Sequence, residues 1–122
     1  MKIMPDTTVI DSQSIENLRA LNPDDNDEFL REIAGIFFED TPHRITELEE
    51  SLAAGDLPKF TRAAHSIKGS SSNLGAMALR YAAEQLEHHA RAQGLGNVSA
   101  LMEGVKAEFE RAQVALTAMI AK

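Results

Sequence analysis

From Asp11 to Ala121 the apolar residues of this chain return every three or four positions, and in no window do they alternate with polar ones as a strand requires. A period near 3.6 turns one face of each segment to a core and leaves the other to water. No Asn-Gly or Asp-Gly pair offers a hairpin turn. Aromatic residues are 5% of the chain, with one tyrosine and no tryptophan, so the interior must be built from aliphatic side chains and alanine. These facts point to an all-α fold.

Glycine, proline and capping residues divide the pattern. Residues 1–10 read as a flexible lead and 11–122 as one domain, a length sufficient for a single core. Asp11 or Ser12 caps a short first helix carrying Ile15, Leu18 and Leu21. Asn22-Pro23-Asp24-Asp25 is a helix start, followed by Phe29, Ile33, Ile36 and Phe37 on one stripe that ends near Asp40. Thr41-Pro42 restarts the chain as cap and first helical residue; the other reading is a kink, which fuses the segments on either side. Ile45, Leu48 and Leu52 continue the buried line until Gly55 stops it.

Asp56 caps the next helix, whose stripe is Phe60, Ala64, Ile67, Ser71 and Leu74, closed by Gly75. Another helix carries Leu79, Ala83, Leu86 and Ala90 to Gly94. After a loop at Gly94-Leu95-Gly96-Asn97, the last runs from Val98 to Ala121 on Leu101, Val105, Ala112, Leu116 and Met119. Long helices joined by short links favour antiparallel neighbours. The expectation is an antiparallel up-down four-helix bundle with a short extra N-terminal helix.

Several function classes drop out. The formal net charge is -7, and no local basic patch is strong enough to hold the phosphate backbone of nucleic acid. Without cysteine there is no disulfide, thiol nucleophile or cysteine zinc site. No apolar run approaches the roughly 20 residues of a membrane span, and Met1 to Asp6 lack the features of a secretory signal. A cytoplasmic protein with no membrane partner is expected. No Walker-type glycine loop or kinase signature supplies an ATP site.

Chemistry concentrates in Ala63-Ala64-His65-Ser66-Ile67-Lys68-Gly69-Ser70-Ser71-Ser72-Asn73-Leu74-Gly75-Ala76. On a helical wheel His65 lies about 140° from the centre of its stripe, Gly69 near 180°, Arg62 about 160°, Ser72 about 120° and Lys68 about 80°. His65 therefore faces water, with Gly69 one turn along the same face and Lys68 alongside. A glycine there costs the helix about 1 kcal/mol relative to alanine, and a reason is needed. Imidazole, with an unperturbed pKa of about 6.5, is a nucleophile near neutral pH. One nitrogen can take a phosphoryl group while the other keeps its proton. Phosphoryl transfer asks for positioning and positive charge; Lys68 can offset charge on the phosphoryl oxygens. Gly69 removes a side chain where another protein must approach. Ser72 can hold a water or the proton-bearing ring nitrogen. Lacking an ATP site, the chain must receive the group from another protein.

At His65-Ser66-Ile67-Lys68-Gly69-Ser70-Ser71 and Asn73-Leu74-Gly75-Ala76 the chain resembles the histidine-containing phosphotransfer (HPt) domains of bacterial two-component phosphorelays. The resemblance extends over the helix pattern from Asp11 to Ala121. It implies a four-helix bundle whose histidine takes a phosphoryl group from a receiver-domain aspartate and passes it to another. By that resemblance His65 is the phosphoacceptor, Lys68 the charge partner and Gly69 the clearance residue, with Gln85 standing for a glutamine on the next helix. It implies response-regulator receivers and a cognate, often hybrid, sensor histidine kinase as partners of a monomer. No cofactor of its own is implied, the Mg²⁺ belonging to the receiver. The same Ala-Ala-His-Ser-Ile-Lys-Gly string is also similar to the phosphoacceptor domain of chemotaxis histidine kinases. The serine-rich continuation and the absence of dimerisation or ATP-binding segments favour the phosphorelay type, and the initial methionine favours a free-standing protein.

Plainer readings stand beside these. A non-catalytic helical adaptor needs no chemistry at His65. A metal-binding bundle needs more than Glu84 and His88, which share a face without a third ligand. His43 and the acids Glu47, Glu49 and Glu50 read as surface. Lys59, Arg62 and Lys68 form a modest basic cluster around the histidine, suited to an acidic partner pocket.

Overall fold

A computed structural model describes residues 8–120. Five helices follow in order, α1 (Ser12–Leu21), α2 (Glu28–Ala54), α3 (Leu57–Asn73), α4 (Met77–Gln93) and α5 (Ser99–Ile120), with no strand among the described residues. α3 packs between α2 and α4, and α5 packs on α4 and back onto α2, closing the bundle; α1 lies on α2. The links between these four helices are two, three and five residues long, too short for anything but antiparallel neighbours. Phe60, Ile67, Leu74, Leu79, Leu86, Val105 and Leu116 fill the interior. No described helix is long and apolar enough to cross a membrane.

Helix α2 is continuous through Pro42, so the expected restart at Thr41-Pro42 does not occur and the fused alternative does. Proline inside a helix costs about 3 kcal/mol through its missing N–H and its ring. Against that, Leu30, Ala34, Phe37, Thr41 and Leu48 are buried along one line on both sides of it, and each large apolar side chain so buried contributes about 1.5–3 kcal/mol. Tertiary packing wins over the local penalty.

The start of α2 is also later than expected. Asn26 and Asp27 take left-handed φ values of 56° and 65°, which interrupt any helix begun at Pro23. The Asp25 carboxylate then accepts the Phe29 N–H at 2.9 Å, and Arg19 Nε reaches Asp27 at 3.1 Å. The buried line is displaced accordingly: Leu30 and Ala34 go inside, Phe29 and Ile33 are half-buried, and Ile36 is 60% exposed.

Residues 1–7 of the expected lead, and the expected helix end at Ala121, lie outside the described residues. The rest of the lead is docked: the Thr8 carbonyl accepts the Ala78 N–H at 2.8 Å, and Ile10 packs against the core. The turn between α3 and α4 is fastened to α1, with the Asp11 N–H donating to the Gly75 carbonyl at 2.8 Å. Gly75 has φ +69°, and a Cβ there would sit 2.6 Å from Ser14 Cβ, so only glycine fits.

Candidate functional site at the α3–α4 face

Helix α3 begins where the Asp56 carboxylate accepts the Lys59 N–H at 3.1 Å, as its capping position predicts. Phe60, Ala64, Ile67 and Ser71 are buried against the bundle. That register turns His65 outward, its side chain 65% exposed. Gly69 is exposed one turn further on, and a Cβ at that position would meet nothing within 4 Å. Lys68 is half-buried where α3 meets α4.

The second helix contributes a residue that the sequence reading missed. Glu87 of α4 has a side chain only 6% exposed, and its carboxylate underlies the histidine. His65 Nδ1 lies 3.2 Å from Oε2 and 3.4 Å from Oε1. Arg91 grips Oε2 with Nη2 at 2.8 Å and Nε at 3.1 Å. Lys68 Nζ is 4.0 Å from Oε1 and closer, at 3.5 Å, to Glu84. Burial pushes the Glu87 carboxyl up, but the bonds from Arg91 and His65 outweigh it and hold the group below its ordinary value. An ionised carboxylate only accepts hydrogen bonds, so Nδ1 carries the proton. In the neutral ring the lone pair then belongs to Nε2, the nitrogen not engaged by Glu87.

Two shallow depressions flank His65 on α3. One is lined by Leu57, Pro58, Thr61, Arg62, His65 and Arg91. The other, on the α2 side, brings Arg44 and Lys59 to Arg62 and Ser66, with Glu47 and Asp56 among them. Arg62 is exposed on the ridge between the two.

Two of the expected site residues stand elsewhere in their bonding. The Ser72 hydroxyl donates to the Lys68 carbonyl at 3.1 Å, within its own helix, and not to the His65 ring. Gln85 lines a groove against α5 with Tyr81, Leu101, Gly104 and Glu108. It is two residues from Glu87 and so about 200° around α4 from it. The α4 residue that meets His65 is therefore Glu87, not Gln85. Its signal was faint: Glu87 lies about 70° from the centre of the stripe Leu79, Ala83, Leu86 and Ala90, at the margin of the buried face, with Arg91 four residues on to pair with it. His43 and His88 are exposed. Glu84 engages Lys68 and, at 4.0 Å, Arg80, and among the described residues no three metal-ligating side chains converge.

The model of the Hpt domain family matches residues 32–115. Over 88 residues the chain is 31% identical to Multistep phosphorelay regulator 1 of Schizosaccharomyces pombe, a match covering 72% of this chain and 30% of that protein. Over 103 residues it is 27% identical to Histidine-containing phosphotransfer protein 1 of Arabidopsis thaliana, covering 83% of this chain and 66% of the relative. The chain thus spans less than a third of the first relative and just under two thirds of the second. Its fold is similar to that of histidine-containing phosphotransfer protein B (HptB) from Pseudomonas aeruginosa PAO1, with TM-score 0.83 and 29% identity over 94% of this chain and 96% of that one.

Proposed function

The chain belongs to the Hpt domain family, and from that premise we propose that it is a phosphocarrier whose His65 takes a phosphoryl group from a receiver-domain aspartyl phosphate and gives it to another receiver. The observation that carries this reading is the pairing of an exposed ring with a buried acceptor: His65 projects to solvent while its Nδ1 is held by Glu87.

In this reading Nε2 attacks phosphorus in line. The new N–P bond forms as the acyl-phosphate O–P bond breaks, and the departing electron pair returns the receiver aspartate to its carboxylate. No proton has to leave. The ring becomes a cation with its proton still on Nδ1, and the Glu87 carboxylate faces that developing charge from a buried position where it is weakly screened. Lys68 offsets charge on the phosphoryl oxygens, and Gly69 leaves room for the partner's loop. Mg²⁺ is expected to arrive with the receiver. The exposed Arg62 offers positive charge to the acidic rim of such a pocket, whereas Arg44 and Lys59 nearby are already paired, Arg44 with Asp40 and Glu47 and Lys59 with Glu50. The carrier works as a cytoplasmic monomer between a sensor kinase and its regulators.

A phosphorylated receiver incubated with this protein should transfer label to a position that is acid-labile and base-stable. His65→Gln should take none; label retained in that variant would overturn the assignment.

A further inference from the structure

We propose that Arg91 is a positioning residue for phosphotransfer, acting through Glu87 to keep the Nε2 of His65 unprotonated; the inference rests on the phosphocarrier reading above. Three nitrogen-bearing side chains surround the Glu87 carboxylate, the Arg91 and Lys68 cations and the His65 ring, and their distances differ. Arg91 places two nitrogens on one oxygen, at 2.8 and 3.1 Å. His65 Nδ1 stands at 3.2 Å from that same oxygen. Lys68 is no nearer than 4.0 Å and lies closer to Glu84.

The terminal torsion of a glutamate is broad, so the ring alone does not fix the orientation of the carboxylate. A planar guanidinium contributing two N–H groups does. Without Arg91 the buried carboxylate loses its closest counter-charge and turns toward Lys68. His65 Nδ1 then loses its acceptor, and in the neutral ring the proton redistributes to Nε2. A ring in that form presents an N–H to an incoming phosphorus atom and cannot attack it.

Arg91 also sits in the last turn of α4, where any cation favours the helix. Lysine at this position keeps that charge but loses the fork. This separates positioning from a structural role.

The test is the ¹⁵N chemical shifts of the His65 ring in the neutral form, read together with transfer rates from a phosphorylated receiver. The wild-type ring should be protonated at Nδ1. Arg91→Ala should shift the ring toward the Nε2-protonated form and slow transfer roughly tenfold, the effect of losing one charge-assisted hydrogen bond. Arg91→Lys should keep the wild-type melting temperature with ring shifts between the other two. Wild-type ring shifts in Arg91→Ala would overturn the proposal even if transfer slowed, because Arg91 would then be acting on the partner. Wild-type shifts in Arg91→Lys would overturn it as well, since charge without the fork would suffice. The ring shifts need no phosphoryl donor, so failure of the wild-type protein to take label would count against the phosphocarrier reading alone.

Discussion

His65 of α3 and Glu87 of α4 are 22 positions apart in the chain and 3.2 Å apart in space, one exposed to solvent and the other buried beneath it. The pairing distinguishes the two ring nitrogens: Nδ1 is the anchored one, and Nε2 is the one the proposed phosphocarrier role makes reactive. It also makes the site a property of two helices.

Glu87→Gln should slow transfer, because an amide still accepts from Nδ1 but carries no charge to oppose the cationic ring. It should also alter acid stability. The Glu87 carboxyl is held below its ordinary value, so its contribution is full above the ordinary glutamate range and is lost as pH falls through the folded-state value. Urea denaturation should find the variant less stable by roughly 1 kcal/mol at pH 7, and the gap should narrow by pH 3.

Lys68→Ala should barely change stability. Its contacts with Glu84 at 3.5 Å and Glu87 at 4.0 Å are long ion pairs without a hydrogen bond, of the kind worth up to about 1 kcal/mol. Transfer should nevertheless slow by roughly tenfold if the ammonium meets the phosphoryl oxygens. Thermal melts and single-turnover transfer assays read the two effects separately.

Gly69 separates fold from access. Nothing stands within 4 Å of a Cβ there, so Gly69→Ala should raise stability by roughly 0.5–1 kcal/mol. Gly69→Gln should fold as well as the wild type yet slow transfer by a factor on the order of 100, since a displacement of about 1 Å at the reacting atoms suffices for that. Unimpaired transfer in Gly69→Gln would remove the clearance argument.

Gly75→Ala should be destabilising by roughly 2 kcal/mol, from the strained φ and the overlap with Ser14 Cβ. Adding Ser14→Gly should restore only the part due to overlap, measurable by denaturant melts of the two variants and their combination.

The helical period placed His65, Lys68 and Gly69 on their faces correctly, because orientation along a single helix is a local property. Pro42 was harder: its local penalty is plain, whereas the burial of Phe37, Thr41 and Leu48 that overcomes it depends on helices distant in sequence. Asn26 and Asp27 delayed α2 through backbone angles that residue type only permits. Glu87 is the site residue that the sequence pattern does not mark. A carboxylate at the margin of an apolar stripe looks like surface until a neighbouring helix covers it, and Gln85, the α4 residue that the resemblance implies, faces α5.

The hydroxyls of Ser70, Ser71 and Ser72 are all spent on carbonyls of their own helix, at Ser66, Ile67 and Lys68. A phosphoryl group seated beside them meets no alcohol from these three poised to accept it or to steer water toward it. On the phosphocarrier reading, these serines then give a phosphorylated His65 no help in shedding its group to water.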